Sequence, residues 1–79
     1  MDAFQNLEFT RVMPRAAGIL VFAKYPTWWS EFTFFLRRDG VVTGKTGAGV
    51  WLELAKESAE LIKARVKQIL KSEPSRVYA

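Results

Sequence analysis

The sequence predicts an α+β fold, a four-stranded antiparallel twisted sheet followed by one C-terminal amphipathic helix, in the order ββββα. Three observations carry that expectation. Up to residue 54 the apolar residues alternate or form short β-branched and aromatic runs punctuated by glycine and proline. Between two of those runs stands Asp39-Gly40, a hairpin signal. After residue 54 the apolar spacing changes to steps of three and four, the period of a helix.

The first strand is expected over residues 4–12, FQNLEFTRV, where alternation sets Leu7, Phe9 and Arg11 on one side and Glu8 and Thr10 on the other. MPRAAG forms a connection, and GILVFAKY, residues 18–25, supplies a second strand rich in β-branched and aromatic residues. Pro26 interrupts the ladder. The third strand is placed over residues 29–38, with Phe32, Phe34 and Leu36 on one face and Trp29, Glu31, Thr33, Phe35 and Arg37 on the other. Asp39-Gly40 is read as a two-residue type I′ turn, which needs positive φ at both central positions.

The fourth strand spans residues 41–54, interrupted by TGKTGAG with its three glycines in seven positions. Beyond the interruption Val50, Leu52 and Leu54 share one side, and Trp51 and Glu53 the other. The helix is expected over residues 55–71, with Ala55, Ala59, Ile62, Val66 and Ile69 as its apolar stripe, widened by Leu61 and Leu70. Glu57 and Glu60 lie toward its start and Lys67 and Lys71 at its end, the order the helix dipole favours. Residues 72–79 are read as a short tail.

At 79 residues, with 49% hydrophobic and 25% charged side chains, the chain has the composition of one small globular domain. Self-association would add to so small a core. The longest apolar run, AAGILVFA at residues 16–23, is too short to span a bilayer, and the first residues, MDAFQNLEF, lack the features of a secretory signal. The expectation is a soluble cytoplasmic protein, nuclear if eukaryotic, with no membrane partner. Net charge is +4 with a pI of about 9.8, which suits a polyanionic partner. Residues 1–52 and 53–79 each carry six basic and four acidic side chains, so there is no basic tail.

The chain contains no histidine and no cysteine, which removes most acid–base dyads, thiol chemistry and the usual transition-metal ligands. No enzyme activity, metal or cofactor is expected. Gly44-Lys45-Thr46 looks like the end of a phosphate-cradling loop, but position 39 is aspartate where that motif needs glycine. A loop that presents Lys45 to a phosphate backbone and a merely solvated turn both fit.

The stretch YPTWWSEFTFFLRR, residues 25–38, concentrates six aromatic side chains between Tyr25 and Phe35. One helix can cover only one sheet face, and the face bearing Phe32, Phe34 and Leu36 is the expected core. The other face then carries Phe35, Arg37, Trp51 and, by alternation, Trp29. Exposed aromatic and cationic groups of this kind form either a protein-binding surface or a platform on which nucleic-acid bases stack.

The element order, together with FTFFLRRDGVVTGKTGAGVWLELAKESAELIKARVKQIL, resembles the single-stranded-DNA-binding C-terminal domain of the positive-cofactor-four family of transcriptional coactivators. In that family an aromatic strand leads to an acidic-glycine turn, a Gly-basic-basic-Gly loop, a short strand and the helix. Here these are Asp39-Gly40, Gly44-Lys45-Thr46-Gly47 and Val50-Trp51-Leu52. Thr46 stands where the second basic residue is expected, and Ala48-Gly49 lengthens the loop.

The resemblance implies a homodimer paired through helix and sheet that binds single-stranded DNA, with RNA left open. It further implies a bacterial or phage member serving replication, recombination or transcription, because the serine-rich extension of the eukaryotic coactivators is missing. The candidate nucleic-acid-binding residues are Trp29, Phe35, Arg37, Lys45, Thr46 and Trp51. The alternative is a protein–protein interaction module, an inhibitor or assembly subunit, that uses the same aromatic face.

Overall fold

A computed structural model describes residues 6–26 and 31–78 of the chain. The fold is α+β: strands β1 (Glu8–Arg15), β2 (Gly18–Lys24), β3 (Phe32–Arg37), β4 (Val42–Lys45) and β5 (Trp51–Glu53), then helix α1 (Lys56–Ser72) and a 3₁₀ turn at Pro74–Arg76. The strands form one antiparallel meander in the order β1-β2-β3-β4-β5.

Five strands replace the expected four. The glycine-rich interruption is long enough to turn the chain fully, so residues 41–54 form the β4–β5 hairpin rather than one broken strand. Its loop is closed by Thr46, whose backbone N–H donates to the Val50 carbonyl (2.9 Å) and whose hydroxyl accepts from the Val50 N–H (3.2 Å). Gly49, at φ 85°, supplies the left-handed residue the return needs.

The β3–β4 turn also departs from the expected type. The Arg37 N–H donates to the Val41 carbonyl and the Gly40 N–H to the Arg37 carbonyl. No residue but glycine has positive φ among the described residues, so Asp39 cannot serve a type I′ turn. The loop is three residues long, with Gly40 alone left-handed at φ 94°. The Asp39 carboxylate accepts from the Val41 N–H (3.1 Å) and reinforces it.

The first strand runs further than expected, to Arg15, and includes Pro14. Proline is tolerated there because β1 is an edge strand and needs donors on one side only. Its register with β2 slips between Phe9 and Arg11. This bulge adds one residue, so Phe9 and Val12 face the same way and Arg11 turns to the opposite face from the one assigned by simple alternation.

The core lies between the sheet and α1. It is built from Leu7, Phe9, Val12, Val21, Ala23, Phe34, Leu36 and Val42 on the sheet side and from Ala59, Ile62, Val66 and Ile69 on the helix. The apolar stripe of the helix therefore covers the face bearing Phe32, Phe34 and Leu36, as expected, with Phe32 only partly buried and with Ala55 and Leu70 exposed rather than part of the stripe. Phe9, Ile62, Ile69, Val12, Val21, Val42 and Val66 are the largest fully buried side chains, and each contributes about 1.5–3 kcal/mol by leaving water. Ala55 cannot cap the helix with its side chain, so tertiary packing rather than capping holds the first turn. No helix among the described residues is long and apolar enough to cross a membrane.

The tail is more than a loose end. Pro74 cannot continue the helix, and the 3₁₀ turn redirects the chain to β1, where the Tyr78 N–H donates to the Val12 carbonyl (2.9 Å) in a one-pair parallel bridge. Glu73 organises the corner: Arg65 reaches it at 2.5 Å and Arg76 at 3.0 Å, and Arg76 also donates to the Phe9 carbonyl. The hydrogen bond from Arg65, with the charges of Arg65 and Arg76, holds the Glu73 carboxyl below the ordinary value of 4.5 against the opposing effect of desolvation.

Gly18 marks a close approach. A Cβ there would stand 2.2 Å from the Leu36 carbonyl oxygen and 2.9 Å from Phe35 Cζ, because the Phe35 ring lies across the bare backbone. Gly18→Ala should lower stability by ~1–3 kcal/mol, whereas Gly47→Ala, where a Cβ meets nothing within 4 Å, should change it by less than ~0.5 kcal/mol; urea unfolding of both variants checks the contrast. The Glu73 clamp predicts a pH dependence. The folded carboxyl has the lower pKa, so its stabilisation is complete above pH 4.5 and is lost as pH falls through the depressed folded value. Urea midpoints measured from pH 7 to pH 3 should fall less for Glu73→Gln than for the wild-type chain.

Candidate functional site

With α1 on one side of the sheet, the opposite side has no covering element among the described residues. The register fixes which residues meet there. Arg11 lies beside Phe22 and Phe22 beside Thr33; Met13 beside Leu20, Leu20 beside Phe35, Phe35 beside Thr43 and Thr43 beside Glu53. At one end Arg15 is next to Gly18 and Gly18 next to Arg37, while Lys45 pairs with Trp51 on the far strands. The result is an apolar and aromatic centre fringed by Arg11, Arg15, Arg37 and Lys45.

The aromatic rings are held in definite positions. Phe35 is seated on Gly18 and meets Trp51 edge to face, with centroids 6.4 Å apart. Trp51 is 43% exposed and has the Lys45 ammonium 6.0 Å from its ring centre. On the other flank the Arg11 guanidinium lies 4.2 Å over the Phe22 ring and is steadied by Glu31 at 3.7 Å. Two aromatic–cation pairs thus stand on opposite flanks of the sheet, with Phe35 between them.

The six expected site residues fare differently. Phe35, Arg37, Lys45 and Trp51 come together on or at the rim of this face. Arg37 is not a free cation: Nη2 lies 2.7 Å from the Asp39 carboxylate, with both side chains about half exposed. Thr46 closes the β4–β5 loop through its hydroxyl, so its first role is to hold Lys45 at the loop mouth. Trp29 falls outside the described residues.

Sequence reasoning missed Arg11, Met13, Leu20 and Phe22. Simple alternation puts Arg11 on the side of Leu7 and Phe9, because no residue in FQNLEFTRV announces the bulge. Leu20 and Phe22 sit in GILVFAKY, which is apolar on both faces and so carries no alternation to read. The one usable signal was the position of β2 beside an aromatic strand, which places its even-numbered residues on the Phe35 face once the register is known.

The face offers planar hydrocarbon, fixed cations and the hydroxyls of Thr33 and Thr43. Among the described residues no three His, Cys, Asp or Glu side chains gather closely enough to hold a metal ion. Comparison with protein-family models, with curated proteins and with solved structures returned no match.

Proposed function

We propose that the chain is a non-enzymatic single-stranded-DNA-binding protein that uses the uncovered sheet face, acts as a homodimer, and serves replication, recombination or transcription in the cytoplasm or nucleoid. One observation carries the reading: Phe35 and Trp51 are displayed on one surface, with the Arg11 guanidinium stacked over Phe22 on one flank and Arg15, Arg37 and Lys45 around them. Bases stack on such rings for ~1–3 kcal/mol each, and the cations meet the phosphates that follow. A duplex hides the base faces, so single strands are preferred. RNA offers the same faces and is a second ligand of the same kind. The process served rests on the resemblance to the coactivator family.

The second reading is a protein-docking face. It is favoured by Met13 and Leu20, which extend the surface from Phe35 to the β1 edge with aliphatic side chains that base stacking does not need.

Titration of tryptophan fluorescence with oligo-dT separates the two. Saturable quenching that weakens with salt, and a clear preference over duplex of the same length, is expected; no saturable change, or equal affinity for duplex, contradicts the DNA-binding reading. Phe35→Ala should weaken binding by ~5- to 150-fold, the equivalent of ~1–3 kcal/mol. Lys45→Ala should reduce the logarithmic salt slope by ~0.7, one phosphate contact. Asp39→Asn keeps an oxygen for the Val41 amide but releases Arg37, and should strengthen binding and steepen that slope.

A further inference from the structure

The two edges of the sheet are treated differently. At β1 the tail returns, and Tyr78 donates to Val12, which occupies the middle of that edge. At β5 nothing described pairs with the outer side, and β4 is its only neighbour. Natural edges are guarded by lysine, proline, bulges or cover. In β5 only Glu53 serves that purpose, while Val50, Trp51 and Leu52 are 53%, 43% and 55% exposed.

The direction of the backbone groups on β5 follows from the hydrogen bonds inward. The Leu54 N–H donates to Val42, and the Val50 carbonyl accepts from Thr46, both across the β4–β5 ladder. Residues alternate along a strand, so the amides and carbonyls of Trp51 and Glu53 point out of the sheet. Outward donors and acceptors at residues 51 and 53 are self-complementary about a two-fold axis through Leu52.

We infer that β5 pairs antiparallel with β5 of a second copy, with Trp51 of each copy opposite Glu53 of the other, so that one continuous ten-stranded sheet presents a shared binding face. Four backbone hydrogen bonds form, two in each Trp51–Glu53 pair. Leu52 meets its counterpart on the helix side of the sheet, next to an open hollow of about 200 Å³ whose lining combines Phe32, Phe34, Leu52 and Leu54 with Lys45 and Thr46.

Charge fits this occupant. None of the ion pairs among the described residues involves Lys45 or Glu53. In the paired sheet Lys45, Trp51 and the second copy's Glu53 lie in one row, which brings Lys45 and that carboxylate to two strand spacings, about 10 Å between backbones, within reach of both side chains. The two tryptophans become diagonal neighbours about 7–8 Å apart, so the second copy contributes a ring to the site. This deepens the dimeric part of the proposal above and does not depend on its nucleic-acid part.

The test uses the full chain. Sedimentation should show a monomer–dimer equilibrium. Hydrogen exchange resolved by residue should show the Trp51 and Glu53 amides protected at concentrations that favour the dimer and exposed on dilution, with the Leu54 amide protected throughout. Leu52→Lys, which opposes two ammonium groups on the axis at an exposed position, should give a folded monomer by circular dichroism. Leu70→Lys, on the exposed side of α1, should leave the dimer intact.

A wild-type chain that stays monomeric at millimolar concentration overturns the inference. So does a dimer in which Trp51 and Glu53 exchange as fast as in the monomer, or one that survives Leu52→Lys and is lost in Leu70→Lys. If Leu52→Lys fails to fold, the exchange of the wild-type amides decides. Absence of oligo-dT binding by a dimer with protected Trp51 and Glu53 removes the DNA-binding reading and leaves the interface standing.

Discussion

The arrangement of this protein depends on one constraint: a single helix has a single sheet to cover, and it can cover only one side. Helix α1, at 17 residues, is about 25 Å long, and five strands span about 19 Å. That suffices for one layer. Phe9, Val12, Val21, Phe34 and Val42 meet Ile62, Val66 and Ile69 on that side, and the molecule gains its stability there. What is left on the opposite side is not residual core, because its rings are interleaved with arginine, lysine and threonine.

Two local devices shape that second surface. The bulge after Phe9 keeps Phe9 and Val12 inward and swings Arg11 outward, so one extra residue converts a buried-side position into a guanidinium over Phe22. Gly18 does the converse on β2. Its missing side chain lets Phe35 lie flat against the sheet and fixes that ring edge-on to Trp51. Both are backbone features that fix where side chains stand on the uncovered face. The Glu73 corner acts at a distance from this face, but it anchors the tail that closes the β1 edge and so leaves β5 as the edge available for pairing.

Much of this architecture was legible in the sequence, for physical reasons that also explain the failures. The helix was read to within a residue at each end because its apolar spacing is strong and Pro74 limits it. In β3 the period of two counted from Phe32 divides the strand, and the division between Phe34 and Leu36 inward and Phe35 and Arg37 outward holds. In β1 one inserted residue inverted the parity without a glycine to mark it. The glycine-rich interruption was seen, but whether it bends a strand or reverses it depends on the Thr46–Val50 hydrogen bonds, which no local pattern reveals. Of the site, Phe35 and Trp51 were within reach of alternation and Lys45 of the glycine-rich stretch, where it ends β4 rather than sitting in the loop, whereas Phe22 lay hidden in a uniformly apolar strand and the engagement of Arg37 by Asp39 is a matter of rotamer.

The proposed interface for nucleic acid is the side of the sheet away from the helix. The most direct measurement is a residue-resolved NMR map of amide and methyl shifts on addition of a short oligo-dT. Saturable shifts are expected at Leu20, Phe22, Thr33, Phe35, Thr43, Lys45 and Trp51, with the exposed side of the helix, at Glu57, Ala64 and Lys71, unmoved. Shifts confined to the helix, or spread evenly over its lysines while the Phe22, Phe35 and Trp51 face stays silent, would rule this interface out.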